Sequence, residues 1–95
     1  MSETASTGAQ ARSRHRTLIV TGASRGIGAA TARLAAEAGW SVAVNYRSGE
    51  AEAQALVERI VADGGRSVAV RADVAVEADV RGLFESAERA LGPLG

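Results

Sequence analysis

Three glycines, Gly22, Gly26 and Gly28, stand between a compact apolar run and an alanine-rich stretch, within the octapeptide Thr21-Gly22-Ala23-Ser24-Arg25-Gly26-Ile27-Gly28. The run before them, Thr17-Leu18-Ile19-Val20, has no polar alternation, the pattern of a strand covered on both faces in a parallel sheet. After Gly26, residues Ile27, Ala30, Leu34, Ala35 and Ala38 recur at helical spacing and predict one apolar stripe, and Gly39 is placed to stop the helix in a left-handed conformation. A strand that turns tightly into a helix presents free backbone N–H groups at the positive end of the helix dipole, where an anion docks. This junction restricts the chain to α/β folds and predicts an anion site in the same stroke.

The alternation continues downstream. Trp40 and Ser41-Val42-Ala43-Val44-Asn45 predict a second short strand, bounded by Gly39 and by Arg47-Ser48-Gly49. Ser48 is a fitting N-cap for a second helix, with Glu50 and Glu52 favoured by its positive end, and the stripe Ala53, Leu56, Val57, Ile60, Val61 runs out at Asp63-Gly64-Gly65. Ser67 to Arg71 predict a third strand, and Val76, Val80, Leu83, Phe84, Ala87 and Leu91 trace a third amphipathic helix closed by Gly92-Pro93. The order β-α-β-α-β-α, joined by right-handed crossovers, gives a parallel sheet with helices on its faces. The expected fold is α/β, the first β-α-β-α-β-α portion of a Rossmann-like doubly wound parallel sheet.

Composition narrows the function. The 95 residues have a formal net charge of zero, with acidic and basic residues interleaved, so nothing favours a nucleic-acid or membrane surface. Arg12, Arg14, His15 and Arg16 read as a polar lead-in to the first strand, and His15 has no neighbouring cluster that would make a metal site. Residues 1–15 are expected to be a disordered polar tail, with 16–95 a partial nucleotide-binding domain. The first ten residues hold no apolar block of the kind a secretory signal needs, and no window reaches the length of a membrane span. Without such segments a cytoplasmic protein is expected, and the lack of cysteine fits a reducing compartment. All eleven basic residues are arginine, so chemistry that needs a lysine ammonium cannot come from this chain.

Each glycine has a distinct expected role toward a phosphate: Gly22 permits the sharp turn, Gly26 lets the backbone approach a pyrophosphate, and Gly28 lets the helix lie tightly on the sheet. The spacing is G-x-x-x-G-x-G, not the G-x-G-x-x-G of the common dinucleotide fingerprint, and the lysine of a phosphate-binding P-loop is missing. About twenty residues on, where NAD-binding units carry an acidic residue for the adenosine ribose, stand Asn45, Tyr46 and Arg47. Arg47 can pair bidentately with a ribose 2′-phosphate and Arg25 can reach the same region, so NADP(H) suits the chain better than NAD. Asp73-Val74 follows the third strand on the same sheet edge. On spacing alone, Asp73 either accepts a hydrogen bond from an adenine amino group, with Val74 against the ring, or steadies the turn into the last helix.

Thr21 to Gly28, Asn45-Tyr46-Arg47 and Ala72-Asp73-Val74, in this order and spacing, resemble the cofactor-binding half of the short-chain dehydrogenase/reductase family over roughly Arg16 to Gly95. The resemblance implies that the glycine turn holds the pyrophosphate, that Arg25 and Arg47 mark an NADP-preferring member, and that Asp73-Val74 meets the adenine. The implied cofactor site is Gly22, Ser24, Arg25, Gly26, Ile27, Gly28, Asn45, Tyr46, Arg47, Asp73 and Val74. Intact relatives continue into a fourth strand with an Asn-Asn-Ala-Gly-like turn, then supply an Asn, a Ser and a Tyr-x-x-x-Lys pair; the tyrosine protonates a carbonyl oxygen as the nicotinamide delivers hydride. None of these is present: Tyr46 is the sole tyrosine and its fourth successor is Glu50. Ala75 occupies a place where relatives often put a helix-capping Ser or Thr.

No catalytic residue is therefore assigned. The chain is expected to be the N-terminal portion of an NADP-dependent short-chain oxidoreductase, truncated before the fourth strand and supplying dinucleotide binding alone. The alternatives are a non-catalytic nucleotide-sensing or interaction module and a subunit completed by a second chain. Full-length relatives are implied to be homo-oligomers, whereas this chain, with Leu18-Ile19-Val20 at an open edge, is expected to associate with itself non-specifically.

Overall fold

A computed structural model describes residues 16–23 and 26–94; the predicted tail at 1–15 and the candidates Ser24 and Arg25 lie outside the described residues. The elements are β1 (Thr17–Val20), α1 (Gly26–Glu37), β2 (Ser41–Tyr46), α2 (Glu50–Ala62), β3 (Ser67–Arg71) and α3 (Glu77–Leu91). The three strands form one parallel sheet in the order β1-β2-β3, with Thr17 opposite Ser41 and Val20 opposite Val44, and on the other side Val42 opposite Ser67 and Tyr46 opposite Arg71. β2 runs one residue further than expected, through Tyr46.

All six residues of β2 are buried, as a central strand requires. Successive side chains point to opposite faces. Val42, Val44 and Tyr46 join Ala32 of α1 and Ala53, Leu56 and Ile60 of α2 in one apolar cluster. Ala43 joins Ala87 and Leu91 of α3 in another. The sheet is therefore covered on both faces, α1 and α2 on one and α3 on the other, which makes it doubly wound.

Two features of the sequence reading need correction in α1. Of the expected stripe, Ile27 is 87% exposed and Leu34 66%, while the buried face is Ala32 with Ala29, Ala35 and Ala36 beside it. When alanines fill most positions of a helix, periodicity sets the spacing but leaves the phase undetermined. Small side chains line the face of α1 that packs against the core, and the larger Ile27 and Leu34 face outward.

Both helices on that face end alike. Gly39 takes φ 103°, its N–H donating to the Ala36 carbonyl (3.0 Å) while the Trp40 N–H donates to the Ala35 carbonyl (3.1 Å). Gly64 takes φ 95°, with Gly64 N–H to Val61 O (3.0 Å) and Gly65 N–H to Ile60 O (2.9 Å). These paired bonds satisfy the last helical carbonyls, and the left-handed residue between them is where glycine escapes the Cβ penalty.

The helix starts depart from expectation by one residue. The N-cap of α2 is Gly49, left-handed at φ 84° and ψ 44°, not Ser48, and no side chain caps it. A left-handed residue turns the chain from the end of β2 directly into the helix, which moves the boundary past the serine. The N-cap of α3 is Val76, extended at φ −109° and ψ 118°, one residue beyond Ala75, and it too has no side-chain cap. On the outer side of β1, Thr17 pairs in parallel with Leu94. The Thr17 N–H donates to Pro93 O (2.9 Å) and its hydroxyl to Gly92 O (3.1 Å), so the edge is paired at its first residue, while among the described residues Leu18, Ile19 and Val20 have no strand partner there.

Candidate functional site

The parallel sheet gathers three segments at the carboxyl ends of its strands: Thr21 to Ala23 with the start of α1 at Gly26, Arg47 after β2, and Ala72-Asp73-Val74 after β3. In open α/β sheets this edge is where ligands bind.

The glycine turn has a closed side and an open side. On the closed side Ala23 is fully buried and its N–H donates to the Asn45 carbonyl at 3.3 Å, fixing the turn to β2. A Cβ on Gly28 would lie 2.5 Å from the Gly22 carbonyl oxygen and 2.9 Å from the Ala23 Cα, so the start of α1 presses against the turn itself. On the open side Gly22 (φ 60°) and Gly26 (φ 66°) face empty space, with nothing within 4 Å of where a Cβ would stand. The first N–H groups of α1 have no helical partner. No acidic residue stands in the first turn of α1, whereas α2 carries Glu50 and Glu52 there and α3 carries Glu77 and Asp79. The first turn of α1 therefore carries no acidic side chain, and the two glycines beside it face open space. Free main-chain amides at a helix N-terminus are in general an anion site.

The candidates after β2 separate into different environments. Asn45 is 3% exposed, and its side-chain amide donates to Val70 O (3.2 Å) and Ala72 O (3.1 Å), clamping the exit of β3 to β2. Tyr46 is buried in the cluster beneath α1 and α2, and its carbonyl accepts the Ala72 N–H (2.9 Å). Arg47 is exposed at the sheet edge.

Asp73 is the organising residue of the third segment. Its Oδ1 accepts the Ala75 N–H (2.9 Å), its carbonyl accepts the Val76 N–H (2.9 Å), and its own N–H donates to Asp79 Oδ2 (2.9 Å). Of the two roles open at the sequence level, the turn-steadying one is seen directly. Val74 is 53% exposed beside it.

Arg71, which was not a candidate from sequence, joins this group. It reads as the polar end of a strand, and the signal that identifies it is the register placing it opposite Tyr46, next to Arg47. Its Nε donates to the Arg47 carbonyl at 3.4 Å. Arg47, Arg71, Ala72, Asp73 and Asp79 line one open hollow of about 530 Å³.

Comparison with known proteins agrees with this geometry. The family model for short chain dehydrogenases matches residues 16–95. An uncharacterized oxidoreductase of Methylorubrum extorquens is 51% identical over 76 residues, 80% of this chain and 31% of that protein. Among solved structures, a dehydrogenase/reductase from Sinorhizobium meliloti superposes with a TM-score of 0.81 at 38% identity, over 93% of this chain and 36% of that one. A blue fluorescent protein from a metagenomic library, solved in complex with NADPH, superposes with a TM-score of 0.79 at 43% identity, over 83% of this chain and 33% of that one. The chain spans about a third of the length of the relatives it matches. From the β-α-β-α-β-α order, the glycine turn at the sheet's carboxyl edge and the match over residues 16–95, the chain belongs to the short chain dehydrogenase family.

Proposed function

We propose that this chain binds the dinucleotide NADP(H) as the cofactor-binding portion of an oxidoreductase acting between a carbonyl and an alcohol. The observation that carries the reading is the glycine turn, whose Gly22 and Gly26 face open space while Gly28 admits no side chain. In this reading the amides of Gly22, Ser24, Gly26, Ile27 and Gly28 surround the diphosphate, Arg25 and Arg47 meet the 2′-phosphate, and Asp73 and Val74 border the adenine. Asn45 and Tyr46 act by position: one fixes the exit of β3, the other supports the end of β2 from below.

When bound, the nicotinamide would supply the hydride. The chain's own contribution is to hold and orient the cofactor, because it has no lysine and its sole tyrosine is buried in the core. Proton transfer to the carbonyl oxygen is accordingly assigned to residues outside these 95. A cytoplasmic setting fits the absence of cysteine. Among the described residues no helix is long and apolar enough to cross a membrane.

Calorimetric titration of the chain with NADPH and with NADH tests the binding. The reading expects saturable binding of both nucleotides, tighter for NADPH. An absence of heat with either nucleotide, from a sample shown to be folded by circular dichroism, would refute it. Incubation of the chain alone with NADPH and a panel of carbonyl compounds should give no turnover above blank.

A further inference from the structure

We infer that Arg71 is a second anion-binding guanidinium at the sheet edge, acting with Arg47 on the phosphate monoester of the adenosine ribose; this rests on the NADP(H) reading above.

The register of β2 and β3 brings the two arginines together. Tyr46 lies opposite Arg71, so the last residue of β3 stands beside the strand end that leads to Arg47. Arg71 Nε donates to the Arg47 carbonyl (3.4 Å), which turns one edge of the guanidinium toward the backbone and leaves its terminal nitrogens for another acceptor. Both arginines line the same open hollow, of about 530 Å³. Its two carboxylates each accept one backbone N–H at 2.9 Å: Asp73 Oδ1 from Ala75, and Asp79 Oδ2, in the first turn of α3, from Asp73. The ion pair seen among the described residues, Arg81 with Glu77 at 3.5 Å, is elsewhere on α3.

The two guanidinium groups share the hollow with the Asp73 and Asp79 carboxylates, so an entering anion is selected by direct contact with the guanidinium forks and not by a net positive field. A phosphate monoester, near −2 at neutral pH with three acceptor oxygens, matches two planar forks better than one. A ribose hydroxyl gains nothing comparable. Arg71 therefore distinguishes the 2′-phosphorylated nucleotide from its plain counterpart, and it does so at the adenosine end, where the contacts are made by this chain.

The test uses 2′,5′-ADP and 5′-AMP, which differ in the monoester alone, titrated calorimetrically into the 95-residue chain and into Arg71→Gln, Arg71→Lys and Arg47→Gln. Loss of one charge-assisted contact is expected to weaken 2′,5′-ADP binding about tenfold in Arg71→Gln, leave 5′-AMP within about twofold, and be partly restored in Arg71→Lys. If Arg71→Gln binds 2′,5′-ADP as tightly as the unsubstituted chain while Arg47→Gln weakens it, the inference is overturned and the cofactor reading survives. Equal losses for both nucleotides would also overturn it, since that is the mark of a structural role. If the unsubstituted chain does not distinguish the two nucleotides, the NADP preference fails and Arg71's role falls with it.

Discussion

A Cβ on Gly28 would stand 2.5 Å from the Gly22 carbonyl oxygen, so the first turn of α1 and the turn before it can coexist only while residue 28 lacks a side chain. The obstructing atoms are backbone and cannot swing aside. Gly28→Ala should therefore destabilise the fold by about 1–3 kcal/mol, the usual range for forcing an extra methyl into a packed site. Thermal unfolding followed by circular dichroism measures it. Gly82 is the internal contrast: it lies within α3 with nothing within 4 Å of its Cβ position. Gly82→Ala should stabilise by about 0.5–1 kcal/mol, through reduced backbone entropy in the unfolded chain.

Asn45 holds two carbonyls of the neighbouring strand exit, at 3.2 and 3.1 Å. Asn45→Ala leaves the Val70 and Ala72 carbonyls without this donor in a buried setting. The expected cost is about 1–3 kcal/mol, read from the denaturant midpoint at unchanged m value. Ala72 and Asp73 should also gain amide-exchange rate relative to the centre of β2.

Val76 caps α3 with an extended backbone and no side-chain acceptor. Val76→Thr keeps the branched shape and adds an oxygen for the free N–H groups of the first turn, so it should raise stability by about 0.5–1 kcal/mol. Ser48 makes no cap for α2, whose N-cap is Gly49. Ser48→Ala should accordingly stay within about 0.5 kcal/mol of the parent. Paired thermal melts of the two variants check both statements.

The outer edge of β1 is paired at Thr17 with Leu94, and beyond it Leu18, Ile19, Leu94 and the half-exposed Phe84 line an open apolar groove of about 320 Å³. An edge of this kind favours association. Sedimentation velocity should show the weight-average mass rising with concentration, and Phe84→Glu, which sets a charge into the groove, should reduce that rise. A monomer at every concentration for the parent chain would contradict the expectation.

Much of the fold was legible because glycine marks its boundaries. Thr17 to Val20 and Ser67 to Arg71 became strands with the expected bounds, and Gly39 and the Asp63-Gly64-Gly65 run ended their helices. The phase of α1 was not legible, since Ala29, Ala30, Ala32, Ala35 and Ala36 suit a buried or an exposed face equally. Ser48 and Ala75 misled by one position because a left-handed glycine and an extended valine cap the helices without a side chain. At the site, position along the chain located Arg47 and Asp73 on the right edge. What Arg71 touches depends on strand register, which no local pattern in the sequence records.

The most direct measurement is a titration of NADPH into the ¹⁵N-labelled chain, followed through its backbone amide resonances. Amides at a bound diphosphate sense its charge whatever the side chains do. The account predicts saturable shifts that are largest for Gly22, Gly26, Ile27 and Gly28 and extend to Arg47. Saturable binding that leaves the Gly22 and Gly26 amides unmoved would contradict it.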